Sequence, residues 1–226
     1  MTLRFKSALL IVAALALTTL AQLKPFIKSE DRPVLNEDGG QAFIIETNRG
    51  PLVPSGSDRK GTISQPEQYS IFIGSDWTTT LLQPREAQLQ SLLANVTNET
   101  ELTALQQSGI KNRFGPTASV ERPDISARSF SDMDLERLLA AMLDDGTLAR
   151  PTNRTIYVVF LDSGFESKLG SLVARKHYVA YHSIFRAAGA DVRYVVVPFE
   201  SDPTAASQIA LRAFVAAAVR PARLPK

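Results

Sequence analysis

The sequence predicts an α/β (α+β) fold: a single domain with a mostly buried central sheet and flanking helices. Three observations carry this. Two short, β-branched apolar runs, 156–161 and 192–197, are bounded by turn residues, as strands buried on both faces are. The segment 203–220 is apolar almost all round, which places a helix against a sheet. Strand-like runs alternate with helical periodicities along the chain. The 226 residues suit one good-sized domain, and 44% hydrophobic with 21% charged residues is ordinary for a globular protein.

The first 21 residues read as a secretory signal peptide. Arg4 and Lys6 form a positive start, 8–17 is an apolar core, and Thr19 and Ala21 are the small residues of a cleavage site. That apolar run is shorter than the ~20 residues needed to span a bilayer, and no later stretch is long enough. Cleavage leaves 23 basic and 23 acidic residues, so the mature chain has no electrostatic reason to seek nucleic acid or an anionic membrane. The absence of cysteine excludes disulfides, thiolate metal sites and cysteine nucleophiles.

Residues 22–66 read as an extended arm and loop with an edge strand at 42–47, because prolines, a Gly-Gly pair and polar residues dominate. The domain is expected over 67–221. Its first core strand is 68–73, ending in Gly74-Ser75-Asp76-Trp77. Pro84 opens a helix through about Val96, with Leu89, Leu92, Leu93 and Val96 on one stripe. Asn98 caps a second helix that Gly109 stops. Residues 110–129 read mainly as loop. Ser131 caps a third helix, with Asp134 placed for a capping box and the helix's carboxylates on a solvated face. The last helix starts at Pro203 with Asp202 as N-cap, and 222–226 is a tail.

Few residues have the means for chemistry. The candidate polar site comprises Asp76, Trp77, Asp162, Ser163, Tyr181 and His182. Asp162-Ser163-Gly164 ends a strand, where sheet proteins commonly hold ligands. A serine–histidine–acid set would need Ser163, His182 and Asp162 to meet, but the G-x-S-x-G turn is missing. His177 and His182 are five apart on a segment that reads as extended and so point to opposite faces, which argues against a shared metal. Trp77 reads better as a core-capping aromatic than as a ligand platform.

Several segments, in order, resemble the EXORDIUM-like, or phosphate-induced, family of secreted proteins. They are Gly50-Pro51-Leu52-Val53, YSIFIGSDW at 69–77, the strand 157–161 with Gly164, Tyr181-His182-Ser183 with Gly189, and 194–198. The resemblance covers about 50–221 and implies a zincin-like layout. Bacterial members continue into a helix, SHELxEAxTDP, with the look of a metal-binding helix. Here its histidine position is Arg212, its glutamate positions are Ala213 and Ala216, and its aspartate position is Arg220. The resemblance therefore implies a secreted pseudoenzyme with no metal or cofactor and no catalytic residues. It would act on an extracellular ligand or envelope component, in growth or cell-wall-linked signalling. Two rival readings are a secreted hydrolase using His182 and nearby carboxylates, and a carbohydrate- or peptide-binding module using Trp77 and Tyr181.

Overall fold

The computed structural model describes residues 31–47, 50–54, 61–111, 117–126 and 128–224. The expected signal peptide and residues 22–30 lie outside the described residues. The frame is a seven-stranded sheet. Four of its strands are parallel: β3 (Glu67–Ile73), β4 (Thr117–Arg122), β6 (Thr155–Leu161) and β10 (Ala190–Val197). They lie in the order β4-β3-β6-β10. Antiparallel strands β9 (Ala180–Ala187), β2 (Gln41–Ile45) and β1 (Asp31–Leu35) continue the sheet beyond β10. A second sheet, β5 (Ser129–Ser131), β7 (Glu166–Leu169) and β8 (Leu172–Val173), is small.

Alternation along the strands builds two cores. Phe72, Ile156, Val158, Phe160, Val195 and Val197 face one side. There they meet α1 (Gln83–Leu89), α2 (Glu99–Gln107) and α4 (Pro203–Val219). Ile71, Ile73, Tyr157, Val159, Leu161, Tyr194 and Val196 face the other side, under α3 (Asp132–Asp144). The chain passes from β3 to β4 across the first face and from β4 to β6 across the second. It thus winds outward in both directions from β3, as doubly wound sheets do. The alanines of α4 let it lie close on β9 and β10, and twelve of its residues are buried.

The helix caps agree with the local sequence. Asn98 accepts from the amides of Thr100 and Glu101, Ser131 and Asp134 form a capping box, and Asp202 caps α4 ahead of Pro203. Four stretches differ. Part of the supposed arm is a β-hairpin: β1 takes the sheet edge, where Pro33 forfeits no ladder bond, and β2 lies inside it. The Asn-Glu-Asp-Gly-Gly stretch that reads as loosely polar is a tight turn, with the Asn36 amide bonded to the Gly40 carbonyl at 2.9 Å. The domain therefore begins well before residue 67. The 110–129 segment contributes β4 and β5. In the supposed tail, Ala222 is buried against Phe43 and Ile184.

The helix expected over 84–96 breaks after Leu89 and resumes only as a 3-10 turn at Leu93–Asn95. The cause is Gln68, buried on β3. Its Nε2 donates to the Leu89 carbonyl (2.6 Å) and its Oε1 accepts from the Leu92 amide (3.2 Å). One side chain thus occupies a donor and an acceptor that a continuous helix would use. Gln68→Ala leaves both main-chain groups buried and unsatisfied, and is expected to cost about 2 kcal/mol of stability in urea unfolding. A variant within 0.5 kcal/mol (on the order of a surface substitution) would show that the break has another cause.

Candidate functional site

The parallel strands reverse direction of winding between β3 and β6, and their C-terminal ends open there. Ile73 pairs with Leu161, so the residues that follow, Gly74 and Asp162, meet across the sheet. Gly74 has φ 115, a left-handed backbone that favours glycine. A Cβ on it would lie 2.0 Å from Oδ2 of Asp162, so the carboxylate fills the space a side chain would take. Asp162 is buried. Its Oδ2 accepts from the Asp76 amide (3.1 Å) and its Oδ1 from the Gly164 amide (2.8 Å). It ties the turn after β3 to the turn after β6. Ser163 reinforces the tie by donating its hydroxyl to the Asp76 carboxylate at 2.6 Å.

These two turns, with the loop leading into β5, line a cavity of about 330 Å³. Asp76, Ser163, Ser126, Arg128 and Phe165 contribute to its wall, so it offers carboxylate acceptors, hydroxyls, one guanidinium and an aromatic face. Crevices outside the carboxyl ends of strands, at the reversal of strand order, are where open α/β sheets bind ligands. Asp162 holds the wall in shape, and Asp76 and Ser163 present polar atoms to the space.

The structure divides the other predicted site residues among separate places. Trp77 is 2% exposed and packs edge-on against Phe72 and Phe160, at 5.0 and 6.3 Å between ring centroids. It anchors the Asp76 turn from below and shows no face to a ligand. His182 is buried on β9 and stacks on Phe43 at 5.1 Å. Through the ladder, His182 aligns with Val195 and Val195 with Val158. Asp162 is then two strands and four residues away, about 16 Å at ordinary strand spacings. Ser163, His182 and Asp162 therefore form no triad. Tyr181 points to the opposite face of the sheet, under α3. His177 accepts from the Val173 amide in the turn after β8, away from His182.

The positions of the metal-type helix do not fit a metal. Ala213 and Ala216 are buried and bring no donor atom, while Arg212 and Arg220 are cations without a lone pair. Among the described residues no group of three or more histidines and carboxylates is arranged for a metal ion. Arg212 donates to the Thr47 carbonyl (2.7 Å), because α4 lays it beside the end of β2. Arg220 lies over the Phe43 ring at 4.6 Å. Both arginines thus tie α4 to the hairpin side of the sheet. The turn before α4 is held by a different cation, Arg85, which donates to the Glu200 carbonyl and stacks on Phe199.

A second polar cluster lies on the α3 face. The helix's carboxylates do not all sit on a solvated face: Asp132 and Glu136 are buried. Tyr181 donates to Asp132 at 2.8 Å, and the Tyr194 hydroxyl lies 2.8 Å from Asp132 and 2.9 Å from Glu136. Asn36 approaches Glu136 at 3.4 Å from the hairpin turn. Burial pushes Asp132 up to about 6 and Glu136 up to about 8, the latter raised further by Asp132 and Asp38. The i, i+4 spacing of Asp132 and Glu136, on the same side as the apolar stripe of Leu135 and Leu139, was the available signal.

Gly74→Ala is expected to be severely destabilising, by more than about 3 kcal/mol, since strained backbone and a clash with a buried carboxylate coincide. In an Asp162→Ala background the same change should cost markedly less, and a double-mutant cycle in denaturant measures the difference. Equal costs in both backgrounds would mean that Asp162 is not what excludes the side chain. Comparison with protein-family models, with curated proteins and with solved structures finds no match to the chain.

Proposed function

We propose that this chain is a secreted, EXORDIUM-like protein that binds an extracellular ligand or envelope component without transforming it. Its role would be in growth or cell-wall-linked signalling, and its binding site the crevice beyond β3 and β6. The observation that carries this reading is the meeting of Asp76, Asp162 and Ser163 at the reversal of strand order. Two further features support it. The helix that follows β10 has alanine and arginine where the resemblance implies ligands for a metal. Among the described residues no serine–histidine pair stands in the crevice: Ser163 donates its hydroxyl to the Asp76 carboxylate, and His182 lies two strands away. A zincin-like layout, with its helix retained for packing alone, belongs to the same proposal. Among the described residues no helix is long and apolar enough to cross a membrane.

The lining suits a small hydroxylated or amino-bearing molecule: carboxylates to accept, hydroxyls to do either, and Phe165 to cover an apolar face. Oligosaccharides and short peptides released from envelope material are the probes. Trp77, the only tryptophan, adjoins Asp76 and reports on the site by its fluorescence. A binding probe should raise the melting temperature saturably, by the equivalent of ~2.7 kcal/mol at a hundred times Kd. Asp76→Ala and Ser163→Ala should each lose that shift while folding normally. Conversion of the probe by the purified protein would contradict the non-catalytic reading. An undiminished shift in both variants would remove the crevice from it.

A further inference from the structure

We infer that the crevice beyond β3 and β6 takes a zwitterion of the amino-acid class, with its ammonium between Asp76 and Ser163 and its carboxylate on Arg128. This rests on the binding role proposed for the crevice and names the chemistry of the ligand. The reason lies in charges that the fold leaves uncompensated. Asp76, Asp162 and Arg128 all line the space. Asp162 is buried, and each of its oxygens already accepts a main-chain amide. Asp76 is half-buried, and its carboxylate accepts a hydroxyl from Ser163. A carboxylate has about four lone-pair sites, so most of its capacity remains open. The Ser163 hydroxyl gives its proton to that bond and keeps its lone pairs. The two side chains therefore form a set of acceptors matched to an ammonium, which has donors only.

Arg128 supplies the opposite charge. Its carbonyl accepts from the Glu166 amide at 2.8 Å, which ties its main chain to the start of β7. Among the described residues its guanidinium makes no hydrogen bond and no ion pair, with Asp76 or with any other acid. A cation and an anion thus border one space without neutralising each other. A ligand with a single charge meets one attraction and one repulsion there. A neutral sugar offers hydroxyls but no countercharge to either group. A molecule with an ammonium and a carboxylate satisfies both, and a planar guanidinium fits a carboxylate through two parallel bonds.

The rest of the lining sets the body of the ligand. Phe165 is held edge-on against the buried Phe130, with 5.8 Å between ring centroids, and Ile125 packs on the core under α3. Both line the crevice and give it an apolar side. Its volume of about 330 Å³ lies at the lower end of the ~300–1,000 Å³ of small-ligand pockets. An amino acid or a dipeptide with an apolar side chain meets these conditions.

Isothermal titration of the full chain with L-phenylalanine and with L-alanyl-L-phenylalanine tests this. N-acetyl-L-phenylalanine lacks the ammonium, L-phenylalaninamide lacks the carboxylate, and cellobiose carries neither charge. At least one zwitterion should bind saturably, and the tighter of the two distinguishes a free amino acid from a dipeptide. Each singly blocked probe should bind at least tenfold more weakly, since charge-assisted hydrogen bonds are the strong ones. Arg128→Gln, at an exposed position, should bring the zwitterion down to the affinity of the amide probe and leave the amide unchanged. Asp76→Asn, which keeps an oxygen for Ser163, should bring it down to the affinity of the N-acetyl probe. Equal affinity for the blocked probes, or zwitterion affinity untouched by both substitutions, overturns the inference. Cellobiose binding without zwitterion binding, lost in Ser163→Ala, overturns it yet sustains the crevice as a binding site. Binding of no probe at ~10 mM, enough to detect a millimolar Kd, overturns it as well.

Discussion

One buried carboxylate organises the upper end of the sheet. Asp162 occupies the space left by the missing side chain of Gly74 and takes an amide hydrogen from each of two turns. The Asp76 amide lies in the first turn of a 3-10 helix, Ser75–Thr78, where it has no partner within the helix, and an anion is the strongest acceptor available for such amides. The turns belong to neighbouring parallel strands whose onward connections leave on opposite faces, and beyond the strand pairing they are joined by Asp162 and by the Ser163–Asp76 hydrogen bond. The crevice between them is a consequence of topology. Its definite shape is a consequence of Asp162.

The other end of the sheet is secured differently. There α4 packs by small residues, and its arginines fasten it to β2 and the residues just after it through a carbonyl and an aromatic ring. A guanidinium in that place binds protein atoms, which repel no cation, and would oppose a metal ion. His182, on β9, is a buried core residue that stacks on Phe43. The polar residues on the two faces of the sheet therefore have distinct employments: ordering turns in the crevice, fastening α4 on one face, and binding tyrosine hydroxyls under α3 on the other.

Much of this was legible in the sequence because it rests on local rules. The strands 156–161 and 192–197, the caps at Asn98, Ser131 and Asp202, and the core role of Trp77 all follow from residue type and spacing. Asp76, Asp162 and Ser163 were identifiable as polar strand-end residues. What was not legible depends on distant pairs. Gln68 breaks α1 from a strand 21 residues earlier. The hairpin at 31–45 is a strand pair only because β9 offers it an edge. Asp132 and Glu136 look like ordinary surface acids until Tyr181 and Tyr194 are placed over them. The grouping of His182 with Asp162 failed because β10 inserts between their strands, an order that no local pattern encodes.

The central claim is that a single carboxylate holds both walls of the crevice. The most direct test is amide exchange at Asp76 and Gly164 in the parent and in Asp162→Asn. The account predicts that both amides, although in turns, are protected in the parent. Both should lose at least tenfold together in the variant, since a hydrogen bond to a charged group is worth ~1.5–3 kcal/mol. Amides of β9 should be unaffected. Loss at only one of the two turns, or at neither, would contradict it.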